Sequence, residues 1–596
     1  MLKAYGGIFC LRRSKPEPGF DSFLSGSSHN LSNLWESPSN RQLQPVKTVA
    51  LGDRELHVYR NRQIDDQFVR TLIEAACRQR DNRQSNQDDS FAFGIKDDIS
   101  PDSFTGRGLV FIFETETEEK CTRRIWLITD RIASRKIYYA RNDRFFIWST
   151  SLSELCLVLD RLDIDLQLDI TGLHRFLDYL HLPEACSLFE GIACIPPASI
   201  LSVDENQISI HSYGKSYFCP ERTDTLEFEM QLKQAIKHSM DDCPPEGAGL
   251  FLSGGLDSSL LAAVGKKKNI KMHTYSAGFY GMPDELKDAE AIARDLGTSH
   301  HAFEIKPAEI EKLLHDVVSV LGYPTGNPSA LATFLVADRA RNDVKGLYSG
   351  MGSDELFAGH TKHIAARYWY TLRPLLSLTR KARFVFSRIR NEMTGRPTAI
   401  NHYIDLYRFF NSVEFDELLN NKRNHTGGCY AEWVKGSLHR SVFGTDVYAW
   451  LVDGLLPLAT ALTAYHGLTL HTPLCSDPML NLAARIPFSL KVKGTRGKRI
   501  LYNVAVDFLP QYVLKKKRQG FTLPMGQWLR GPLRYLMETY LNDQTIENRG
   551  LFDAAAIQKI VSTHLAGRAD LSLQIWALIS LEVWQRIFID QRRCRQ

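Results

Sequence analysis

Residues 253–259 read Ser-Gly-Gly-Leu-Asp-Ser-Ser, set between an apolar run, AGLFL, and a helix-forming run, LLAAV. Gly254 and Gly255 let backbone N–H groups approach phosphate oxygens, Ser253 and Ser258 add hydroxyl donors, and the start of the following helix supplies a positive dipole end. Asp257 would be repelled by a bare phosphate. Its useful role there is to hold a Mg²⁺ that neutralises departing pyrophosphate. The loop lacks the lysine of a G-x-x-x-x-G-K-[ST] motif, which reaches β and γ phosphates, so cleavage between the α and β phosphates of a nucleotide is expected. A second acidic pair, Asp354 and Glu355, follows a glycine-interrupted strand end in SGMGSDE, a reasonable place for metal work, although acidic helix starts are common without it. Further on, Lys515, Lys516, Lys517 and Arg518 supply positive charge for a polyphosphate or for an oxyanion developing during acyl transfer.

The elements that must position these groups follow two grammars. In the first third, short β-branched or aromatic runs alternate with polar turns: LVFIFET from Leu109, RRIWLITD from Arg123, KIYYA from Lys136 and RFFIWST from Arg144. Residues 15–45 and 79–90 are polar and read as exposed loops. The stretch 212–224 is a plausible boundary, with a helical run beginning near Leu226. Beyond it, strand, turn and helix alternate: a strand and the Ser253 loop from Gly247, a second strand in KMHTYSAGF from Lys271, a helix over 284–296, and strand into polar loop again from Val344. Such alternation predicts a parallel sheet with ligands beyond the carboxyl ends of its strands. Adjacent His300 and His301 on one strand would face opposite ways, so they are read as packing or hydrogen-bonding groups, with a metal role as the minor alternative.

Bulk properties bound the rest. At 596 residues the chain exceeds what one core usually supports, and with 44% hydrophobic residues it is globular. A net charge of +5 is too small at this length to imply nucleic-acid binding. The 11 cysteines show no CxxC pair or ladder, which argues against zinc ribbons and disulfide scaffolds and for a reducing cytoplasm. The opening MLKAYGGIFCLRR lacks a signal-peptide core, and no uninterrupted apolar stretch reaches the length of a membrane span, so no transmembrane segment is expected. Arg373, Arg380, Lys381, Arg383, Arg388 and Arg390 lie among apolar residues as on a basic amphipathic helix, read as a solvated face, with a partner- or peptide-docking face or a membrane-surface helix as alternatives.

The Ser253 loop resembles the ATP-pyrophosphatase domain of the asparagine synthetase family. Asp284, Glu285, Ala289, Ala293, Leu296, Gly297, His300 and His301 look like the family's next segment, then Pro324, Asn327, Pro328 and Ser329. Ser349, Gly350, Gly352, Ser353, Asp354 and Glu355 match most of its SGEGxDE loop, and Lys498, Leu509, Pro510, Gly520, Phe521 and Pro524 resemble the block that closes its site. Upstream, Asp130, Arg131, Lys136, Tyr138, Tyr139, Ser149 and Ser153, then Phe189, Gly191, Ile192, Ile195, Pro196 and Pro197, resemble its amidotransferase domain. The resemblance implies an α+β degenerate N-terminal-nucleophile amidotransferase-like domain over 1–215 and an α/β ATP-pyrophosphatase domain with a parallel sheet over 216–596. It implies ATP and Mg²⁺ as cofactors, with Asp257 and Asp354 on the metal. Ser253, Gly254, Gly255, Asp257, Ser258, Ser276 and Gly350 form the expected nucleotide-binding set, and Asp354, Glu355, Lys517 and Arg518 the expected catalytic set. Arg518 stands where the family has its catalytic lysine; either Lys517 takes that role or charge stabilisation by the arginine suffices.

Departures from the family pattern steer the functional expectation. Leu2 stands where a glutamine-hydrolysing member has its cysteine nucleophile. Met351 replaces the glutamate of SGEG, and Thr469 and His471 stand where the pattern GLEVR places Glu and Arg. An intact adenylating loop, a first domain without the nucleophile and an altered acyl pocket together are similar to the lasso-peptide cyclases. That resemblance implies adenylation of an Asp or Glu side chain and attack by the peptide's N-terminal amine, with a leader-binding protein and a leader protease as partners. The competing readings are a β-lactam synthetase-like or asparagine synthetase-like ligase on a small substrate, and a noncatalytic peptide-binding module. Aromatic residues over 361–445, including Tyr368, Trp369, Tyr370, Phe409 and Phe410, suit either a peptide groove or a helical core. The loss at Leu2 predicts that glutamine supports no synthesis: ammonia assays with glutamine and ATP should read background, and release dependent on this chain would refute the prediction.

Overall fold

The computed structural model describes residues 6–10, 43–50, 54–61, 109–116, 121–142, 145–204, 207–214, 218–221, 224–243, 247–282, 284–367, 403–410, 417–419, 429–430, 437–516 and 523–590. The chain divides into two compact units, 1–167 with 185–216, and 168–184 with 217–596. The second unit thus takes in a short segment, 168–184, from within the first third of the chain.

The first unit is built on two antiparallel sheets. One has four strands in the order β1-β7-β6-β8, from β1 (Gly6–Cys10), β6 (Tyr138–Arg141), β7 (Phe145–Ser149) and β8 (Ile192–Cys194). The other has six in the order β10-β9-β5-β4-β3-β2: β2 (Leu43–Ala50), β3 (Arg54–Asn61), β4 (Leu109–Glu116), β5 (Cys121–Thr129), β9 (Ser199–Asp204) and β10 (Ile208–Ser212). Alternate residues Ile125 and Leu127 of β5 and Leu201 and Val203 of β9 pack with Phe146 and Trp148 of β7 in one buried cluster, as the period-2 pattern of their runs predicts. Asp130 closes the turn after β5: its Oδ1 accepts the backbone N–H groups of Ile132 and Ser134 at 3.1 and 2.9 Å. The four strand runs read from sequence fall on β4 to β7. Strand β2 corrects the loop reading at its end, since it begins at Leu43 inside the polar stretch; its partner β3 covers all eight of its residues but for one bulge at Pro45 to Lys47.

The second unit carries a five-stranded parallel sheet in the order β13-β12-β11-β14-β15, from β11 (Ala248–Phe251), β12 (Met272–Phe279), β13 (Ser299–Ile305), β14 (Gly346–Tyr348) and β15 (Thr469–His471). Helices α1 (Leu152–Arg161) and α2 (Ile170–Tyr179) precede it in the chain, and α3 (Thr225–His238) starts one residue before the expected Leu226. Then α4 (Leu256–Lys267), α5 (Asp284–Leu296), α6 (Ile310–Leu321), α7 (Ser329–Ala340) and the short α8 (Ser353–Phe357) alternate with the strands. Strand β11 and the helix it feeds are continuously apolar because helices cover both faces of a parallel sheet. His300 and His301 do face opposite ways on β13: His300 Nδ1 lies 3.0 Å from Thr274 Oγ1, while the His301 ring stacks on Tyr275.

One helical run, His439–Tyr465, is the single stretch among the described residues long and apolar enough to cross a membrane by length and composition, yet 67% of its most apolar window is buried inside the protein. Its middle, Thr445–Leu455, is wound as a π-helix and turns Asp446 and Asp453 into the core. Phe409 and Phe410 are buried as core residues. The basic run over 373–390 and the trio Tyr368, Trp369 and Tyr370 lie outside the described residues.

His439, at the start of that run, is buried against Lys491, and its Nε2 sits 3.2 Å from the Ala484 carbonyl oxygen. Burial, with the Lys491 charge second, pushes its imidazole down to about 3. In the unfolded chain the group titrates near 6.5. Between those values the unfolded state holds a proton that the folded state refuses, so stability falls as pH drops through this window, by up to about 1.4 kcal/mol per pH unit for this group. Denaturant titrations between pH 6 and 4 should therefore show a shallower loss of stability for His439→Gln than for the parent; parallel slopes would show that His439 does not titrate on unfolding.

Candidate active site

The Ser253 loop leaves β11 at its carboxyl end and enters α4 through Gly255, whose extended backbone makes it the N-cap with no side-chain cap on the first turn. Those N–H groups are left for an anion. The loop is braced from within: Ser258 Oγ accepts the Ser253 N–H at 3.2 Å and lies 3.1 Å from Ser253 Oγ, and Ser259 Oγ donates to the Gly255 carbonyl at 2.7 Å. Gly254 has a left-handed backbone at φ +66°, and a Cβ there would meet the Ala289 nitrogen at 3.1 Å. Ser276 is buried in β12, and its hydroxyl donates to the Leu252 carbonyl. It anchors the start of the loop.

The second loop follows β14 and is pressed against the first. A Cβ on Gly350 would stand 2.8 Å from Asp257 Cβ, and one on Gly352, at φ +88°, would stand 1.8 Å from Cys475 Sγ. Both glycines of SGMG are therefore demanded by close approach on opposite sides, and Met351 sits between them with its carbonyl accepting from Cys475 Sγ at 3.0 Å. This packing brings Asp257 and Asp354 to one place. The group that joins them comes from far along the chain: Lys498 Nζ lies 2.5 Å from Asp257 Oδ2 and 2.8 Å from Asp354 Oδ1, with only 4% of its side chain exposed. Ser353 Oγ adds a 2.7 Å hydrogen bond to Asp257 Oδ1. The lysine is delivered by a tight crossing in which the Lys498 N–H donates to Phe357 O at 3.0 Å. A Cβ on Gly497 would approach Ala358 O to 2.0 Å, and one on Gly359 would strike Asp354 Oδ1 at 1.7 Å and Lys498 Cε at 2.5 Å.

Next to this cluster stands a histidine–carboxylate pair. Glu355 is 3% exposed and its Oε1 lies 3.1 Å from Nε2 of His360, whose side chain is 30% exposed. Burial alone would raise the Glu355 carboxyl; the His360 hydrogen bond and charge reverse that and hold it below its usual range. Beneath, His363 Nδ1 accepts the His360 backbone N–H at 3.0 Å, so its own proton sits on Nε2 and is given to buried Asp446. Tyr407 OH also donates to Asp446, and Lys362 lies 3.5 Å from its Oδ1. Burial would raise the Asp446 carboxyl, but Lys362 and His363 hold it well below the usual carboxylate range. This closed network fixes the backbone from which His360 projects.

The sequence model of the asparagine synthase family matches residues 227–586. The chain belongs to the asparagine synthase family. The match runs from α3 through both loops and Lys498, and as a member the protein is an ATP-dependent carbon–nitrogen ligase of the AMP-forming kind. Asparagine synthetase [glutamine-hydrolyzing] 1 of Bacillus subtilis (strain 168) is 25% identical over 72% of this chain and 70% of its own length. A putative asparagine synthetase [glutamine-hydrolyzing] of Mycobacterium bovis is 24% identical over 79% of this chain and 75% of its own. Among solved structures, an NMN synthetase from Francisella tularensis aligns at 20% identity over 24% of this chain and 60% of its own, with a TM-score of 0.18, too low to bear on this fold.

Of the residues expected from sequence, Ser253, Gly254, Gly255, Asp257, Ser258, Gly350, Asp354 and Glu355 come together at the carboxyl ends of β11 and β14, with Ser276 bracing them from behind. Lys517 and Arg518 lie outside the described residues. The basic run does reach the loop through Lys516, whose Nζ donates to Gly254 O at 3.3 Å and pairs with Asp288. Thr469 and His471 form the edge strand β15, where the His471 ring stacks on Tyr348 with centroids 4.5 Å apart. Lys516 belongs to the basic run expected to meet the phosphates and Lys498 to the block expected to close the site, but the bridging role of Lys498 and the contribution of His360 were not legible in the sequence. For Lys498 the local signal was the preceding Gly497, which only makes sense once the crossing is seen.

Asp257→Asn and Gly359→Ala should each reduce AMP release by about 10²-fold or more, comparable to losing a strong charge-stabilising group, with circular dichroism unchanged. Near-normal AMP release from a folded Gly359→Ala variant would mean that the Asp257–Lys498–Asp354 spacing does not matter to the reaction.

Proposed function

We propose that this protein adenylates a carboxylate with ATP and condenses it with an amine, releasing AMP and pyrophosphate, in the manner of an asparagine synthetase-like amide ligase. The observation that carries this is the meeting of Asp257, Asp354 and Lys498 at the mouth of a glycine loop with an uncapped helix start. Two oxygen-only donors of one sign fit Mg²⁺, which prefers carboxylates and phosphates to nitrogen or sulfur. Bound there, the ion would offset the charge of the departing pyrophosphate.

The chain's own groups do the rest. The α4 N–H groups and Ser253 hold the phosphates, and Lys498 keeps the two carboxylates from repelling each other. Lys516 brings positive charge to the loop. The attacking amine must shed a proton, and Met351 offers no base. In its neutral form, with Nε2–H engaged by Glu355, His360 presents Nδ1 as the acceptor for that proton.

A finer reading is favoured by one observation. The position between Gly350 and Gly352 is a methionine whose backbone, not a carboxylate, is what the site holds, so recognition of a small charged amino acid loses a group. An amine tethered on the same molecule would need less recognition because its effective concentration is high. On that reading the substrate is a peptide whose Asp or Glu side chain closes on its N-terminal amine, a lasso-type macrolactam, presented by a leader-binding protein and trimmed by a leader protease.

Incubation with ATP and Mg²⁺ and either aspartate plus ammonia or a candidate precursor peptide separates these. The small-substrate reading expects asparagine; the peptide reading expects a product lighter by one water. AMP in neither arm, across matched substrates, would overturn the proposal. His360→Gln should cut amide formation by about 10²- to 10⁴-fold while pyrophosphate exchange into ATP persists, as expected when only the proton acceptor is lost; unchanged amide formation would remove His360 from the mechanism.

A further inference from the structure

At the other end of the parallel sheet, away from the Ser253 loop, three ligand-type side chains converge that the ligase chemistry does not use. His273 lies near the amino end of β12, where it faces Ser299 in register, and His301 of β13 pairs with Tyr275 two residues on. Period 2 puts His273, Tyr275 and His301 on the same face of the sheet. Asp343 stands in the turn ahead of β14, at the same end. His273 Nδ1 and His301 Nε2 are 3.4 Å apart, and one ligand atom each from His273, His301 and Asp343 lie within 4.8 Å of one another.

We propose that His273, His301 and Asp343 form a binding site for a divalent d-block cation of the zinc type. With metal–nitrogen bonds of about 2.0 to 2.1 Å, two ligands of a tetrahedral ion stand roughly 3.3 Å apart, close to the imidazole separation found. Two imidazoles and one carboxylate select zinc-like ions over Mg²⁺, which prefers oxygen donors. The surroundings orient the ligands: Tyr275 OH donates to Asp343 Oδ2 at 2.8 Å, leaving Oδ1 for the ion, and the Tyr275 ring stacks on His301 with centroids 4.9 Å apart. All three groups are half-buried or exposed, so an ion can reach them. Asp343, exposed on its turn, supplies the third ligand. The bound ion ties β12, β13 and the lead into β14 together, and the fourth position stays with solvent.

The site is independent of the amide-forming reaction, so its test does not depend on that function. The full chain, stripped with a chelator, is titrated with Zn²⁺ by calorimetry and with Co²⁺ by visible absorption, and its thermal midpoint is read with and without Zn²⁺. One equivalent of Zn²⁺, a four-coordinate Co²⁺ spectrum and a raised midpoint are expected, the last by ligand linkage. His301→Ala should abolish all three. Asp343→Asn, an exposed change that leaves the core alone, should weaken Zn²⁺ about tenfold or more, within the range seen when groups around a metal are altered. No stoichiometric binding by the parent, or binding by both variants equal to the parent, would overturn the proposal and leave the pair as an imidazole–imidazole hydrogen bond.

Discussion

A single buried ammonium group holds the candidate site together. Asp257 and Asp354 carry the same charge, and two carboxylates brought side by side in a partly desolvated place repel each other or take up a proton. Lys498 between them removes that difficulty and makes the approach of two loops favourable. The glycines then follow as geometric necessities: Gly350 lets one loop touch Asp257, Gly359 clears room for the Asp354 carboxylate and the lysine stem, and Gly497 lets the segment carrying the lysine cross. Breaking one partner of such a buried set typically costs about 3–5 kcal/mol, whereas the assembled set adds little to net stability. Its value lies in where it puts charge.

Around that centre the charges are layered by burial. Asp257 and Asp354 stay partly open, which suits groups that must meet ligands. Glu355 is fully inside and is spoken for by His360; Asp446 is deeper still and is saturated by His363, Tyr407 and Lys362. The deeper the carboxylate, the more completely it is partnered, as desolvation requires. The π-wound stretch Thr445–Leu455 belongs to this layering, because it carries Asp446 and Asp453 into the protein core.

Much of this was legible in local sequence and some was not. Strands β4 to β7, helices α3 and α5 and the strand–loop–helix around Ser253 announced themselves because a period of 2 or 3.6 and a glycine break are properties of adjacent residues. Strand β15 was hidden because it has three residues and is defined by pairing with β14, not by its own composition. Lys498 stood in a recognised block without a role, since the carboxylate it serves lies 241 residues earlier and no spacing rule spans that distance. His301 was read from its neighbour His300, when its informative relation was to His273 across the strand pair. Contacts along the chain could be read; contacts across it had to be seen.

The segment 168–184 bears on the order in which the protein can form. Its partners within the second unit are Gly326, whose N–H donates to Leu180 O at 3.1 Å, Phe409, whose N–H donates to Asp178 O at 2.8 Å, and Asp453, which accepts from Glu184 N at 2.8 Å. A ribosome delivers α2 well before any of them, and 185–216, which completes the first unit, comes in between. During synthesis the first unit can therefore close while a helix in its midst is still waiting for a scaffold not yet made. The two units interleave along the chain, so no cut at one position separates them.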